Sequence, residues 1–189
     1  MIIGVTGNAG KTSTKEAIGV VLRKIKTVRM AKGNLNNELG LPLVVLGNWD
    51  VEYYDKGPSV GFWLKVLVSS FFGLFTNQEY PEVLLLEYGA DHPNDIKRLA
   101  SVFKPHISVV TTVGDVPVHV EFFKDADALA DEKSNLVKVL SESDFAVLNQ
   151  DDSRVWNMKH NTKAKILTYG LADGVTIKAS DVEFMGNEK

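Results

Sequence analysis

The sequence predicts a three-layer α/β domain built on a mostly parallel sheet, and three observations carry that prediction. A short apolar strand at Met1 to Thr6 runs directly into a glycine-rich turn and then into residues at helical spacing. The stretches "VLLLE" (83–87), "ISVVTT" (107–112) and "FAVLN" (145–149) are continuous apolar runs, the pattern of strands covered on both faces. Helical periodicity separates these runs, and strands alternating with helices imply parallel neighbours joined by right-handed crossovers.

The elements follow in order. After the first turn, Ala17, Ile18, Val21, Leu22 and Ile25 recur on one helical face. "GNLNNELGLP" (33–42) sets three asparagines between glycines and a proline, the composition of a loop that turns or binds polar ligands. An apolar insertion covers about 50–81 and contains "FWLKVLVSSFFGLF" (62–75). Its fourteen residues would rise about 21 Å as a helix, short of the ~30 Å core of a bilayer, and Lys65, Ser69 and Ser70 interrupt it. A helix packed on the domain or on a partner is the favoured reading, with weak membrane-surface contact as the alternative. Asn94 is a candidate cap for a helix with inner face Ile96, Leu99, Ala100 and Phe103. Ala126 to Leu140 reads as a helix and "AKILTYG" (164–170) as a further strand. "TIKASDVEF" (176–184) alternates in the manner of an antiparallel strand, so a small antiparallel sheet is expected to begin at the C-terminus.

Composition excludes several classes of function. The 189 residues suit one domain able to bury a core, and 44% hydrophobic with 24% charged residues is ordinary globular usage. A formal net charge of −3 provides no field that would favour nucleic acid. The lack of cysteine rules out disulfides, thiolate metal sites and cysteine nucleophiles. The apolar start breaks at once into glycines and a lysine, unlike a signal peptide, so a cytoplasmic protein is the default.

Candidate chemistry concentrates at strand ends. "GVTGNAGKTSTKE" (4–16) reads as a phosphate-binding loop, although Val5 stands where G-x-x-x-x-G-K-[ST] requires glycine. Its glycines let backbone N–H groups approach an anion, Lys11 can reach β- and γ-phosphates, and the Thr12 hydroxyl can bind Mg²⁺. Glu87 closes the most apolar strand at its carboxyl end, where open α/β sheets place ligands; it is either a Mg²⁺ ligand or a strand-end glutamate facing water. His119, in "VGDVPVHVEFF", follows the next strand at the same edge and is either a structural histidine or a ligand. Lys133 shares the inward stripe of Leu129, Ala130, Leu136, Val137 and Leu140. It either snorkels past the core edge or faces a site, and periodicity does not choose.

Taken together, "GVTGNAGKTSTKE", "NNELGLPLVVL", "LLLEYGADHPNDIKRLA", "KPHISVVTTVG", "HVEFF", "DEKSNL" and "AVLNQDD" resemble, in order, the ATP-binding central domain of the Mur ligases, over about residues 2–185. That family's loop is T-G-x-x-G-K-[ST], which Thr6 to Thr12 match, so the glycine missing at Val5 is a family trait. The resemblance implies a P-loop NTPase-like fold over 1–189. It implies that Thr6, Gly7, Asn8, Ala9, Gly10, Lys11, Thr12 and Ser13 hold ATP, with Lys11 on the phosphates and Thr12 on Mg²⁺. Glu87 and His119 correspond to metal ligands, and Lys133 to a lysine that CO₂ converts to a carbamate able to bind Mg²⁺. Asn149 corresponds to a contact with adenine, and Asn36 and Asn37 to a block near the metal and the UDP-MurNAc-peptide substrate. The implied activity is ATP-dependent amide-bond formation in peptidoglycan precursor synthesis, through an acyl phosphate.

Within the family, "NNELGLP" and "EYGADHPNDI" favour the dipeptide-adding type, whose amine is D-alanyl-D-alanine. Another Mur ligase, a folylpolyglutamate-synthase-like ligase, or a nucleotide-binding or assembly module without ligase activity are the rival readings. Three departures stand out. Tyr88 replaces a usual Met and Asp91 a frequent Asn, neither expected to touch the chemistry, and four residues separate Gly114 from His119 where the family has two. The family's N-terminal UDP-sugar domain, its C-terminal domain and the last helices of its central domain are not among these residues, so the fragment alone is expected not to complete the reaction.

Overall fold

A computed structural model of the chain describes residues 1–33, 35–76, 79–114 and 122–182. Seven strands among them form one sheet in the order β2-β3-β1-β4-β5-β6-β7. The central strand β1 (Ile2–Thr6) lies parallel to β3 (Val83–Glu87), with Val5 opposite Glu87, and parallel to β4 (Ile107–Val110), with Thr6 opposite Val110. Strand β2 (Val28–Met30) flanks β3, while β5 (Phe145–Asn149), β6 (Lys165–Gly170) and β7 (Ile177–Lys178) extend the sheet beyond β4, again all parallel.

The direction of β7 corrects the antiparallel ending expected from alternation. Thr176 N donates to Thr168 Oγ1 at 2.9 Å and Thr168 N donates to Thr176 Oγ1 at 3.1 Å. This reciprocal clamp closes the intervening turn, so that Ile177 comes round beside Tyr169 running the same way. Period-two alternation identifies a strand but carries no information about its direction.

Alternate residues of each strand point to opposite faces, and the two faces bury different helices. One face carries Ile3, Val5, Val83, Leu85 and Val109 beneath α1 (Lys11–Leu22). The other carries Leu84 and Leu86 beneath α2 (Gly40–Leu46), α5 (Asp95–Val102) and α6 (Ala126–Lys138), then Val110, Ala146 and Leu148 beneath α6 and α7 (Ser153–Asn157). Helix, sheet and helix make the three layers expected.

The packing of α1 departs from the apolar stripe read in the sequence. Ala17 is exposed, as are Val21 (67%) and Ile25 (74%), the last beyond the end of the helix. The inward positions are Lys15, Ile18, Gly19 and Leu22, an i, i+3, i+4, i+7 set. A Cβ on Gly19 would lie 2.5 Å from Met30 Sδ, so its absence lets α1 approach β2 closely.

Helix α5 also differs in detail. Ile96, Leu99 and Ala100 are buried as expected, with Phe103 half-buried, but the Asn94 side chain does not cap the helix. Glu132 on α6 does so, accepting from Asn94 N at 2.7 Å and Ile96 N at 2.8 Å.

The insertion forms α3 (Asp50–Lys56) and α4 (Val60–Gly73), the latter capped by Ser59 Oγ, which accepts from Phe62 N at 3.1 Å. Phe62 and Val66 are buried against the domain, as the favoured reading held. Val60, Leu64, Leu67, Val68, Phe71, Phe72, Leu74 and Phe75 remain exposed. At about 100° per residue the six of these positions within α4 fall in one continuous apolar arc, and Leu74 and Phe75 follow its end. Among the described residues, no helix is long and apolar enough to cross a membrane.

Candidate nucleotide and metal site

Strands β1 and β4 are neighbours, but the chain leaves them in opposite directions across the sheet, which opens a crevice at their carboxyl ends. The phosphate-loop sequence lies there, pinned against residues 111–113. Thr111 Oγ1 donates to Ala9 O at 2.7 Å, Asn8 N donates to Thr112 O at 2.6 Å, and Asn8 Nδ2 donates to Val113 O. Two glycines make this path possible. A Cβ on Gly7 would fall 1.9 Å from Thr111 Oγ1, and Gly10 starts α1 in the left-handed conformation with φ of 80°.

The loop residues divide into supports and free groups. Thr6 is fully buried and its hydroxyl donates to Tyr88 O at 2.9 Å, while the Asn8 amide is already taken by Thr112. The amides of Lys11, Thr12 and Ser13 open α1 and have no acceptor within the helix, so they carry its positive end into the crevice. Lys11 is half-buried and folds its Nζ onto Asn8 O at 3.1 Å. Burial lowers its pKa, against the opposing pull of Glu87 and Asp91.

Glu87, 3% exposed, is the hub of the site. Its Oε2 accepts from Thr12 Oγ1 at 3.0 Å, its Oε1 accepts from Asn36 Nδ2 at 3.3 Å, and Lys15 Nζ lies 3.7 Å from Oε2. The adjoining Gly89 N donates to Asn36 O at 2.8 Å, which seats the asparagine loop on the strand end. A Thr hydroxyl beside a carboxylate is an oxygen donor pair suited to Mg²⁺, a cation that takes its remaining ligands from phosphate and water. Those residues therefore fit the ion. Among the described residues there is no group of three His, Asp or Glu side chains able to hold a metal.

Lys133 faces inward, not along the core edge. It is 3% exposed, and its pKa is lowered to about 7, first by burial and then by the Lys11 charge, with Glu132 and Asp91 opposing. Asp91 adds the smallest of the opposing charges acting on both lysines.

The remaining expected residues are dispersed. Asn37 is exposed and its Oδ1 caps α2 by accepting from Leu39 N and Gly40 N. Asn149 lines a 330 Å³ hollow with Thr112, Gly114, Asp151 and Asp152 at the far side of the loop. Asp152 builds that hollow, since its carboxylate accepts from Thr112 Oγ1, Val113 N and Gly114 N and also caps α7. His119 lies outside the described residues. A 740 Å³ hollow between α5 and α6 is lined by Asn94, Phe122, Phe123 and Glu132 and stands apart from the phosphate loop. Reading the sequence missed Lys15, Asp152 and the structural use of Glu132; only Lys15 had a local signal, one helical turn beyond Lys11 on the same face.

A parallel sheet with a glycine-rich loop, a loop lysine and a threonine–carboxylate pair at its switch point defines a phosphate-loop nucleotide-binding domain. Residues 68–188 match the Mur ligase middle domain family. The UDP-N-acetylmuramoyl-tripeptide–D-alanyl-D-alanine ligase of Mycobacterium leprae is 32% identical over 166 residues, which are 88% of this chain and 26% of that protein. A MurF ligase from Thermotoga maritima, solved in complex with ADP, superposes over 93% of this chain and 33% of its own with a TM-score of 0.67 and 27% identity. MurF from Acinetobacter baumannii gives a TM-score of 0.71 at 23% identity, a likeness of fold. The chain belongs to the Mur ligase family, as its middle domain, and spans about a quarter to a third of the length of these relatives.

Proposed function

We propose that this chain is the ATP-binding domain of an enzyme that adds D-alanyl-D-alanine to UDP-MurNAc-tripeptide in the cytoplasm. The observation that carries the reading is the meeting of Thr12, Glu87 and Asn36 at one strand-end crevice beside Lys11, with Lys133 buried within reach of the Lys11 charge, in a chain related to UDP-N-acetylmuramoyl-tripeptide–D-alanyl-D-alanine ligases. When bound, ATP supplies the phosphoryl group and Mg²⁺ neutralises its charge. The protein's part is positioning and electrostatics. Lys11 exchanges Asn8 O for a phosphate oxygen, and the first amides of α1 hold the phosphates. Thr12 and Glu87 would hold the metal, and Asn149, which lines the 330 Å³ hollow, would meet the nucleotide base. The peptide carboxylate, on the Asn36 side, becomes an acyl phosphate; the dipeptide amine forms the amide bond and phosphate leaves.

Lys133 completes the reading. Its neutral amine adds to the carbon of CO₂ and releases one proton, giving a carbamate. The product is an anion where an ammonium would face Lys11, and it joins Glu87 as an oxygen ligand. His119 belongs to the same proposal as a further metal ligand. The exposed apolar arc of α4 supports docking on a partner, with weak membrane-surface contact as the alternative.

Titration calorimetry with ADP and Mg²⁺ tests the nucleotide reading. The wild-type chain binds, and Lys11→Ala weakens binding at least 100-fold. A folded wild-type chain that does not bind refutes the proposal. Phosphate release that requires both UDP-MurNAc-tripeptide and D-alanyl-D-alanine, measured in a protein carrying this domain and the family's other two, separates a ligase from a binding module.

A further inference from the structure

We infer that Lys15 is a positioning residue: it clamps the stretch after β2 onto the phosphate-loop helix, so that Glu87 turns one oxygen to Thr12 and the other to Asn36. The inference rests on the nucleotide reading above, and nothing in that reading uses Lys15.

Lys15 is 1% exposed, on the second turn of α1. A buried ammonium is unfavourable unless its charge is balanced and its protons have acceptors. Both conditions are met by two segments distant in the chain. Nζ donates to Ala31 O at 2.9 Å and to Gly33 O at 2.7 Å, both just past the end of β2. Glu87 Oε2, at 3.7 Å, is too far for a hydrogen bond but supplies a buried opposite charge. Glu16, at 4.0 Å, is half-exposed and contributes little.

The consequence is a linked chain of groups. The two carbonyl contacts hold the backbone that leads to Asn36, and Asn36 Nδ2 then reaches Glu87 Oε1 at 3.3 Å. The other oxygen is shared between Thr12 and the field of Lys15. Lys15 therefore sets the carboxylate's direction from both sides without itself reaching the phosphates. Order at the metal side of the site and order in the asparagine loop become one event.

The test measures ADP affinity with Mg²⁺ and with EDTA, together with amide hydrogen exchange over residues 31–37, in wild type, Lys15→Met and Lys15→Arg. In Lys15→Met, affinity in EDTA stays within about twofold, because the loop and Lys11 are intact. The enhancement by Mg²⁺ falls at least tenfold, and amides at 31–37 exchange at least tenfold faster. Lys15→Arg recovers most of the enhancement. An unchanged enhancement, an equal fall with and without Mg²⁺, or no recovery by Arg overturns the inference. Should Lys15→Met not fold, the wild type decides: Mg²⁺ with ADP must slow exchange at 31–37 more than ADP in EDTA, and equal exchange overturns the clamp. Absence of ADP binding by folded wild type is a different result, which removes the nucleotide reading and this inference with it.

Discussion

Lys133→Met should make the protein more stable at pH 6, and the size of the gain follows from where Lys133 sits. Burial and the neighbouring Lys11 move its amine from 10.5 to about 7. At 1.36 kcal/mol per pH unit, that displacement corresponds to about 5 kcal/mol of destabilisation when the amine is charged. The sign is that of a depressed lysine. Between pH 7 and 10.5 the unfolded chain keeps a proton that the folded chain has released, so stability rises with pH at up to about 1.36 kcal/mol per unit. Below pH 7 both states are protonated and the penalty is complete and constant. Methionine keeps the unbranched stem and removes the charge, giving a gain of about 3–5 kcal/mol at pH 6 that shrinks steadily toward pH 10. Urea unfolding of both proteins from pH 6 to 10 in CO₂-free buffer measures the difference directly, because the titrations of groups that are not coupled to Lys133 cancel. Added bicarbonate at pH 8 should then stabilise the wild type alone. A difference that is flat across this range, or a variant less stable at pH 6, would show that the Lys133 ammonium is well accommodated and would refute the reasoning.

Two other perturbations bear on separate parts of the molecule. Gly7→Ala places a Cβ 1.9 Å from Thr111 Oγ1, so it should lower stability by about 1–3 kcal/mol and weaken ADP binding in proportion to the loop's displacement; thermal melts and calorimetry with unchanged values would contradict the close approach. If α4 rests on membrane surfaces, the wild-type chain should co-sediment with liposomes and Leu67→Glu/Phe71→Glu should not, with melting temperature unchanged because both side chains are exposed; no sedimentation of the wild type removes that reading.

Much of the fold was legible because the parallel strands are buried on both faces and so appear as unbroken apolar runs. The loop was legible because its chemistry is local: glycines, a lysine and a threonine within seven residues of chain. What escaped was assembled from distant segments. Lys15 looks like a solvated helix lysine until Ala31, Gly33 and Glu87 are brought around it. The apolar stripe on α1 was misplaced for the same reason, since counting only apolar residues cannot place a lysine inside. Asn94 had the right residue type for a cap, but a glutamate 38 positions later took the task.

That glutamate has a consequence for the aim of the lysine next to it. Consecutive residues on a helix point about 100° apart, so fixing the azimuth of one fixes the other. Glu132 is locked onto two amides at the start of α5, which leaves α6 no freedom to roll about its axis. Lys133 is thereby held on the buried side of α6, within reach of the Lys11 charge, by a helix seam that the nucleotide reading does not use.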